Sequence, residues 1–253
     1  MSFKYVFLQK YVFIILLYGS FASYQTLAGE LALNIITEDW APYNYEEDNI
    51  LKGFSVDVVN AIMVELGEKH NIDIYPGARG EMMLDSMPNI MNFSLFRTPE
   101  REKKYKWVGP ISEEAIYFYK RKDDPREYKT LNDIRKNSMI SLPHKGLILS
   151  RVEALGITNI SKIPDKRGQF LHLFVGRANL TVNVTPLGVV YYMKKLNKPV
   201  DALVQTQVKL FEFPLYIACS KEIPDSVIKR WQKALDMVKS SGKYDQIYNK
   251  YLH

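Results

Sequence analysis

The sequence predicts an α/β protein of two lobes, with the chain passing between them twice. Three observations carry this. Short apolar runs of strand type alternate with amphipathic helical stretches, the order that builds sheets with helices packed on them. Two apolar segments, one from Ile111 towards Arg121 and one from Phe213 to Cys219, bracket a central region and read as crossings. The C-terminal residues then form helical stretches whose apolar faces have to return to the first part of the chain. Lobe one is expected over about 31–114 and 216–253, and lobe two over about 115–215.

Composition bounds the answer. The chain has 253 residues, 47% hydrophobic and 25% charged, which is globular and long enough for one large domain or two small ones. Residues 1–28 read as a secretory signal. Lys4 and Lys10 supply a positive start, and the apolar run Tyr11 to Tyr18 is too short to span a bilayer. Thr26-Leu27-Ala28 offers small residues for cleavage, with Ser20-Phe21-Ala22 a second candidate. The net charge of +6 falls to +4 without the two leader lysines (6 − 2), and the remaining Lys and Arg are interleaved with acids. That argues against nucleic acid as a partner. The single cysteine, Cys219, rules out an internal disulfide and sits in an apolar run, where a buried core thiol is expected.

In chain order, Leu31 to Ile36 alternates as a strand does, and Glu38-Asp39-Trp40-Ala41-Pro42-Tyr43 forms a polar loop after it. Gly53-Phe54 ends a turn or short hairpin. Ser55 is placed to cap a helix from Val56 to about Lys69, on which Val58, Val59, Ile62, Met63 and Leu66 share a face. Asp57 suits the start of that helix and reads as structural. After a strand at Ile72 to Tyr75, Gly77-Ala78-Arg79-Gly80 lacks the glycine spacing and the Lys-Ser/Thr of a phosphate loop. Ile90 to Leu95 is the next strand. Thr98-Pro99-Glu100 then signals a helix start, with Thr as cap, Pro at the first position and Glu at the positive end of the dipole. Arg101 falls one turn inside, at the sheet edge where ligands of open α/β sheets bind. Its guanidinium can grip a carboxylate with two parallel hydrogen bonds; the plainer reading makes Arg97 and Arg101 solvated surface charges. A basic helical turn is expected to stop at Trp107-Val108-Gly109-Pro110.

In the central region, a capped helix is expected at Thr130 to Ile134, a strand at Met139 to Leu142, a helix at Gln169 to Val175, a strand at Leu180 to Val184 and a helix at Pro186 to Asn197. Asp225 caps the last helical region, whose Val227, Trp231, Leu235 and Val238 form one stripe. Gly242 breaks it, and Tyr244, Ile247, Tyr248 and Tyr251 form another that docks on lobe one.

Four stretches together resemble the bacterial extracellular solute-binding proteins of family 3, the polar-amino-acid type. They are TEDWAPYNY at 37–45, LKGFSVDVVNAIMVELG at 51–67, SLFRTPEREKKYKWVGPI at 94–111 and WQKALDMVKSSGKYDQIYNKYL at 231–252, in the family's order over nearly the whole chain after the leader. The resemblance implies a type II periplasmic binding protein architecture, in which two α/β sheets joined by a two-strand hinge close on a small ligand. It places Arg101 at the carboxylate-binding position and Trp40 over the ligand, although a Trp there can also be core. Ser94 and Thr98 would add hydrogen bonds from the same edge. Arg79 resembles an arginine near the cleft of some relatives, with a loop surface charge the equal alternative. The turn after the strand at 139–142 lacks the family's hydroxyls, leaving His144 or Lys145 as substitutes.

One departure bears on the ligand. Where the family's amino-acid binders carry an Asp for the ligand's ammonium group, this chain has Val184, or Asn183 if the register slips by one. Neither supplies a charge-assisted bond. An amino group is therefore expected to matter little, unless another acid, Glu38 or Asp39 being nearest, has taken over the role.

The resemblance implies a periplasmic, monomeric protein that hands a small molecule to the permease of an ABC transporter, or to a sensor. An enzyme of the cyclohexadienyl dehydratase type shares the fold but needs a Glu in the second lobe, and there is none between Glu153 and Glu212. No cofactor or metal is expected: His70, His144, His172 and His253 are scattered, with no HExxH pair, and no GxSxG elbow occurs.

Overall fold

The computed structural model describes residues 32–113, 115–212 and 214–252. The expected leader and both its cleavage points lie outside the described residues. The described residues open with β1 (Asn34–Thr37), a hairpin of β2 (Tyr45–Glu47) and β3 (Ile50–Lys52), α1 (Phe54–Leu66), β4 (Ile72–Ile74) and α2 (Gly77–Ser86). It continues through β5 (Ile90–Phe96), the one-turn α3 (Pro99–Glu102) and β6 (Lys106–Ser112). The central region holds β7 (Ile116–Arg121), α4 (Leu131–Asn137), β8 (Ile140–Pro143), α5 (Leu147–Ala154), β9 (Ile160–Ile163), α6 (Lys166–Phe174), β10 (Leu180–Val184), α7 (Pro186–Lys195) and β11 (Leu203–Phe211). The chain ends with β12 (Leu215–Cys219), α8 (Asp225–Ser240) and α9 (Lys243–Leu252).

These strands form two separate five-stranded sheets, ordered β4-β1-β5-β12-β6 and β11-β7-β10-β8-β9, with the β2–β3 hairpin as a third, two-stranded element. In the first sheet β1 runs parallel to both β4 and β5, while β12 lies antiparallel between β5 and β6. In the second, β8 runs parallel to β9 and β10, and β7 is antiparallel to β10 and β11. The chain changes sheets between β6 and β7 and returns between β11 and β12. The expected α/β architecture, two sheets with two crossings, is the one observed. Strand β5 reads IMNFSLF and is buried at every position but the last, as a central strand covered on both faces must be.

Several local expectations change. Helix α3 is four residues long, and the Thr98 side chain makes no cap hydrogen bond to it. A helix this short has almost no aligned dipole, so the anion attraction expected of its N-terminus is not available. Trp107 to Pro110 lie within β6 rather than ending a helix, because pairing with β12 offers their backbone a ladder. The segment from Gly77 is helix α2, not a loop. Ser55 lies inside α1, and the N-cap is Gly53, at φ 135; a Cβ there would stand 2.2 Å from the Tyr43 carbonyl oxygen, so only glycine fits. Asp225 is the first residue of α8 and Pro224 the cap. The Thr130–Asp133 capping box of α4 is formed on both sides.

The second sheet packs Phe118, Ile134, Ile140, Leu142, Val152 and Val182 against one face, and Phe170, Leu173, Val189 and Met193 against the other. In the first lobe the C-terminal docking is explicit. Phe54, fully buried, takes edge-on contacts from Tyr244, Tyr248 and Tyr251 at ring separations of 5.6, 5.7 and 6.2 Å, and from Tyr43 at 6.1 Å. Asp57 accepts hydrogen bonds from Lys250 Nζ and Tyr251 Oη, both at 2.8 Å, which is the structural role expected of it. Cys219 is buried, and burial pushes its thiol well above the ordinary value, as suits an inert core residue.

Because Phe54 joins α1 to α9, Phe54→Ala leaves a cavity that four aromatic rings cannot all fill. A loss of about 3–5 kcal/mol is expected. The urea midpoint, with the slope unchanged, measures it; a loss under about 1 kcal/mol would show that α9 is held by other contacts.

Candidate functional site

Parallel β1 and β5 point their C-terminal ends to the same edge of the first sheet, where the second lobe faces them. Three connected chambers lie there. The inner one, about 370 Å³, is walled by Thr37 at the end of β1 and Glu38 after it, Asn92 and Ser94 to Phe96 of β5, the first turns of α2, Arg101, and Leu147 from α5 of the second lobe. A middle chamber of about 240 Å³ shares Glu38, Phe96 and Leu147 with it and adds Trp40. An outer one of about 800 Å³ adds Tyr45, His144, Lys145, Arg167, Tyr191 and Lys195.

Strand β5 is irregular where it meets the inner chamber. Its pairing with β12 slips between Phe93↔Ile217 and Leu95↔Tyr216, leaving Ser94 as the bulged residue with φ 64. Left-handed backbone at a non-glycine residue costs on the order of 1–3 kcal/mol. The bulge places the Ser94 side chain at the chamber. Ser94 is 2% exposed and Asn92 3%, yet neither Ser94 Oγ nor Asn92 Oδ1 has a hydrogen-bond partner among the described residues. A buried acceptor without a donor is costly, so these atoms are suited to a bound molecule.

Arg101 turns its guanidinium into the inner chamber. Its Nη2 donates to the Glu81 carboxylate and its Nη1 to the Phe96 carbonyl at 3.2 Å. Burial pulls its pKa below the ordinary value, opposed by Tyr105 and Glu38, and it stays a cation at neutral pH. Glu38 is set by α2: a Cβ on Gly77 would stand 2.5 Å from Glu38 Oε2, so the missing side chain lets the carboxylate approach the first residue of a ten-residue helix. That is where backbone N–H groups and the dipole favour an anion.

Trp40 stacks obliquely between Tyr43 and Phe96, with ring separations of 4.9 and 5.5 Å, and lines the middle chamber. Thr98 is buried beside α3, where its hydroxyl hydrogen-bonds the Glu100 carboxylate and holds that group below its usual range; it does not line the chambers. Arg79 lies over the Tyr75 ring at 4.7 Å, also outside the chamber walls. Of the residues singled out from sequence, the structure therefore brings Arg101, Ser94 and Glu38 into one chamber, Trp40, Asp39 and Lys145 into the next, and His144 into the outer one. Glu81 and Asn92 were missed. The signals were available: with 77–86 helical, Glu81 is four residues from Gly77 and shares its face, and an amide inside an apolar strand asks for a partner.

The lobes also touch beside the chambers. The fully buried Tyr43 donates its hydroxyl to Thr185 Oγ1 at 2.8 Å, Lys195 pairs with Glu47, and the Tyr45 and Tyr191 rings meet at 5.2 Å. Among the described residues, no cluster of His, Cys, Asp or Glu could hold a metal ion, and no helix is long and apolar enough to cross a membrane.

The profile of the bacterial extracellular solute-binding proteins, family 3, matches residues 33–253. A probable amino-acid-binding protein of Bacillus subtilis (strain 168) is 24% identical over 228 residues, covering 84% of this chain and 80% of that protein. Among solved structures, an ancestral cationic amino acid solute-binding protein is similar with a TM-score of 0.72 at 21% identity, over 88% of this chain and 96% of that one. A histidine kinase sensor domain with similarity to periplasmic binding proteins gives 0.70 at 16% identity, over 87% and 96%.

The bulge makes opposite demands on two substitutions. Ser94→Gly removes the left-handed strain at a smaller entropic cost, so the urea midpoint should hold or rise. Ser94→Val adds a branched side chain to that backbone and should cost roughly 1–3 kcal/mol. Equal loss in both variants would mean that the bulge is not strained.

Proposed function

Because the chain belongs to the bacterial extracellular solute-binding proteins of family 3, we propose that it captures a small carboxylate-bearing solute, amino-acid-like or another organic anion, by closing two lobes around it. One observation carries this: Arg101 lines the inner chamber and its guanidinium already holds a carboxylate, that of Glu81. A planar fork of donors in a partly desolvated site recognises a carboxylate and discriminates against neutral ligands. Ser94 Oγ, lacking a partner among the described residues, is placed to add a hydrogen bond, and Trp40 and Phe96 to cover the apolar part of the ligand. Thr98 and Arg79, expected from the sequence as contacts, lie outside the chamber walls and are left out of this reading.

In this reading lobe one is 31–114 with 216–253, lobe two is 115–215, and the two crossing segments form the hinge. Tyr43–Thr185 and Glu47–Lys195 belong to the closed state. The protein acts in the periplasm after loss of residues 1–28 and passes its solute to the permease of an ABC transporter or to a sensor protein. The role is binding, not catalysis: the matching family and the Bacillus relative are described as binding proteins.

Removing one partner of a desolvated charge pair costs on the order of 3–5 kcal/mol. Arg101→Ala should therefore weaken binding by roughly two to three decades, and Arg101→Lys should recover only part, since an ammonium cannot make the paired bond. Titration calorimetry against carboxylates, amino acids and small peptides measures both; an Arg101→Ala protein with unchanged affinity returns Arg101 to a surface charge. Closure is tested separately. Small-angle scattering should show a smaller radius of gyration with ligand than without, and an unchanged radius would argue against hinge motion.

A further inference from the structure

The inner chamber holds more anionic and acceptor groups than its single arginine accounts for. Glu38 and Glu81 both line it, together with Asn92 and Ser94, whose Oδ1 and Oγ have no hydrogen-bond partner among the described residues. Arg101 spends Nη2 on Glu81 and Nη1 on the Phe96 carbonyl. A ligand carrying only a carboxylate would have to take Arg101 from Glu81 and leave that acid facing the ligand's own anion. A ligand carrying only an amine would satisfy Glu81 but leave the Arg101 fork with only the Glu38 charge and the Phe96 carbonyl, without the paired bonds that a carboxylate gives it. A zwitterion does neither. Its carboxylate takes the guanidinium, its ammonium takes Glu81, and every charge keeps an opposite neighbour.

We propose that Glu81 is the residue that reads the ligand's ammonium group, taking over from lobe one the role that Val184 cannot play in lobe two, and that the Arg101–Glu81 pair is the unliganded stand-in for the zwitterion. This rests on the reading that Arg101 binds the carboxylate. The side chains of the pair are 24% and 41% exposed, and a pair that accessible contributes little by itself, so the ligand parts it at small cost. Asn92 lines the same chamber, and its buried Oδ1, without a donor among the described residues, is the acceptor for a second N–H of the ammonium. Glu38, held against the start of α2, adds a second negative charge to the same wall. The amino group is therefore decisive for binding, the reverse of what the sequence at 183–184 implies.

The test uses the purified protein and titration calorimetry with the twenty L-amino acids, then the desamino acid and the decarboxylated amine of the tightest binder. The wild-type protein should bind the amino acid at least ~100-fold more tightly than either truncated compound, the loss expected when one buried charge is left unpaired. Glu81→Gln should reduce the preference over the desamino acid to under ~10-fold, and should bind that acid as well as or better than the wild type does, since Arg101 is released. A misfolded variant cannot gain affinity, so this gain separates recognition from a structural role. Glu81→Asp, which keeps the charge, should retain a preference for the amino acid.

Equal wild-type affinity for the amino acid and its desamino form, or a Glu81→Gln protein that keeps the full preference, overturns the proposal. So does the absence of binding by all twenty amino acids at millimolar concentration. In the first two cases the carboxylate reading stands if Arg101→Ala still weakens binding by roughly two decades or more. If Arg101→Ala leaves amino-acid affinity unchanged, that reading fails, and the role given to Glu81 fails with it.

Discussion

The pairing of β5 with β12 is the constraint on which the rest of the molecule depends. It joins Phe93 to Ile217 and Met91 to Cys219, residues that lie on either side of the whole second lobe in sequence. By closing that long excursion, it forces the chain to leave the first sheet and return beside the strand it left. The second lobe thereby hangs from two adjacent segments. The same ladder cannot stay regular to its end. It slips at Ser94, and the slip turns a serine towards the inner chamber instead of into the β5–β12 seam. One hydrogen-bonded seam thus sets the crossings, the bulge and the position of the chamber.

Charge balance organises the chamber itself. Arg101, Glu38 and Glu81 lie together where water is partly excluded, and each is held by a different device. Arg101 has the Phe96 carbonyl and Glu81, Glu38 has the start of α2 at Gly77, and Glu81 has Arg101. Only the last arrangement relies on a flexible side chain at both ends, so it is the one a ligand can exchange. The anchored partners stay in place, as a preorganised site requires. The aromatic wall of Trp40 and Phe96, continued at the crossing by Phe211 at 5.4 Å from Phe96, lowers the local dielectric and sharpens these interactions.

Much of this was legible in the chain. The amphipathic stripes of α1, α8 and α9 carry their own periodicity, and the stripe of Tyr244, Tyr248 and Tyr251 predicted its docking surface. Arg101 was legible from its setting after a strand and a Thr-Pro-Glu turn. The helical reading around it was not: local signals favoured a longer helix, but ladder pairing to β12 outcompeted them for Lys106 to Ser112. The segment from Gly77 failed for the opposite reason, since two glycines depress helix propensity and only packing over β5 offsets them.

What the sequence by itself determined is therefore whatever is encoded over one or two turns: the alternation of elements, the apolar faces, the cap at Thr130, and the presence of an arginine at a strand's end. What only the tertiary structure decided is the pairing of groups far apart in the chain. Arg101 meets Glu81 across 20 residues, Tyr43 meets Thr185 across 142, and Glu38 meets the bare backbone of Gly77. Such meetings depend on which strands become neighbours. Strand order is set by the burial of whole faces rather than by any local run of residues, and so the partner of Arg101 could not be read until the sheet was assembled.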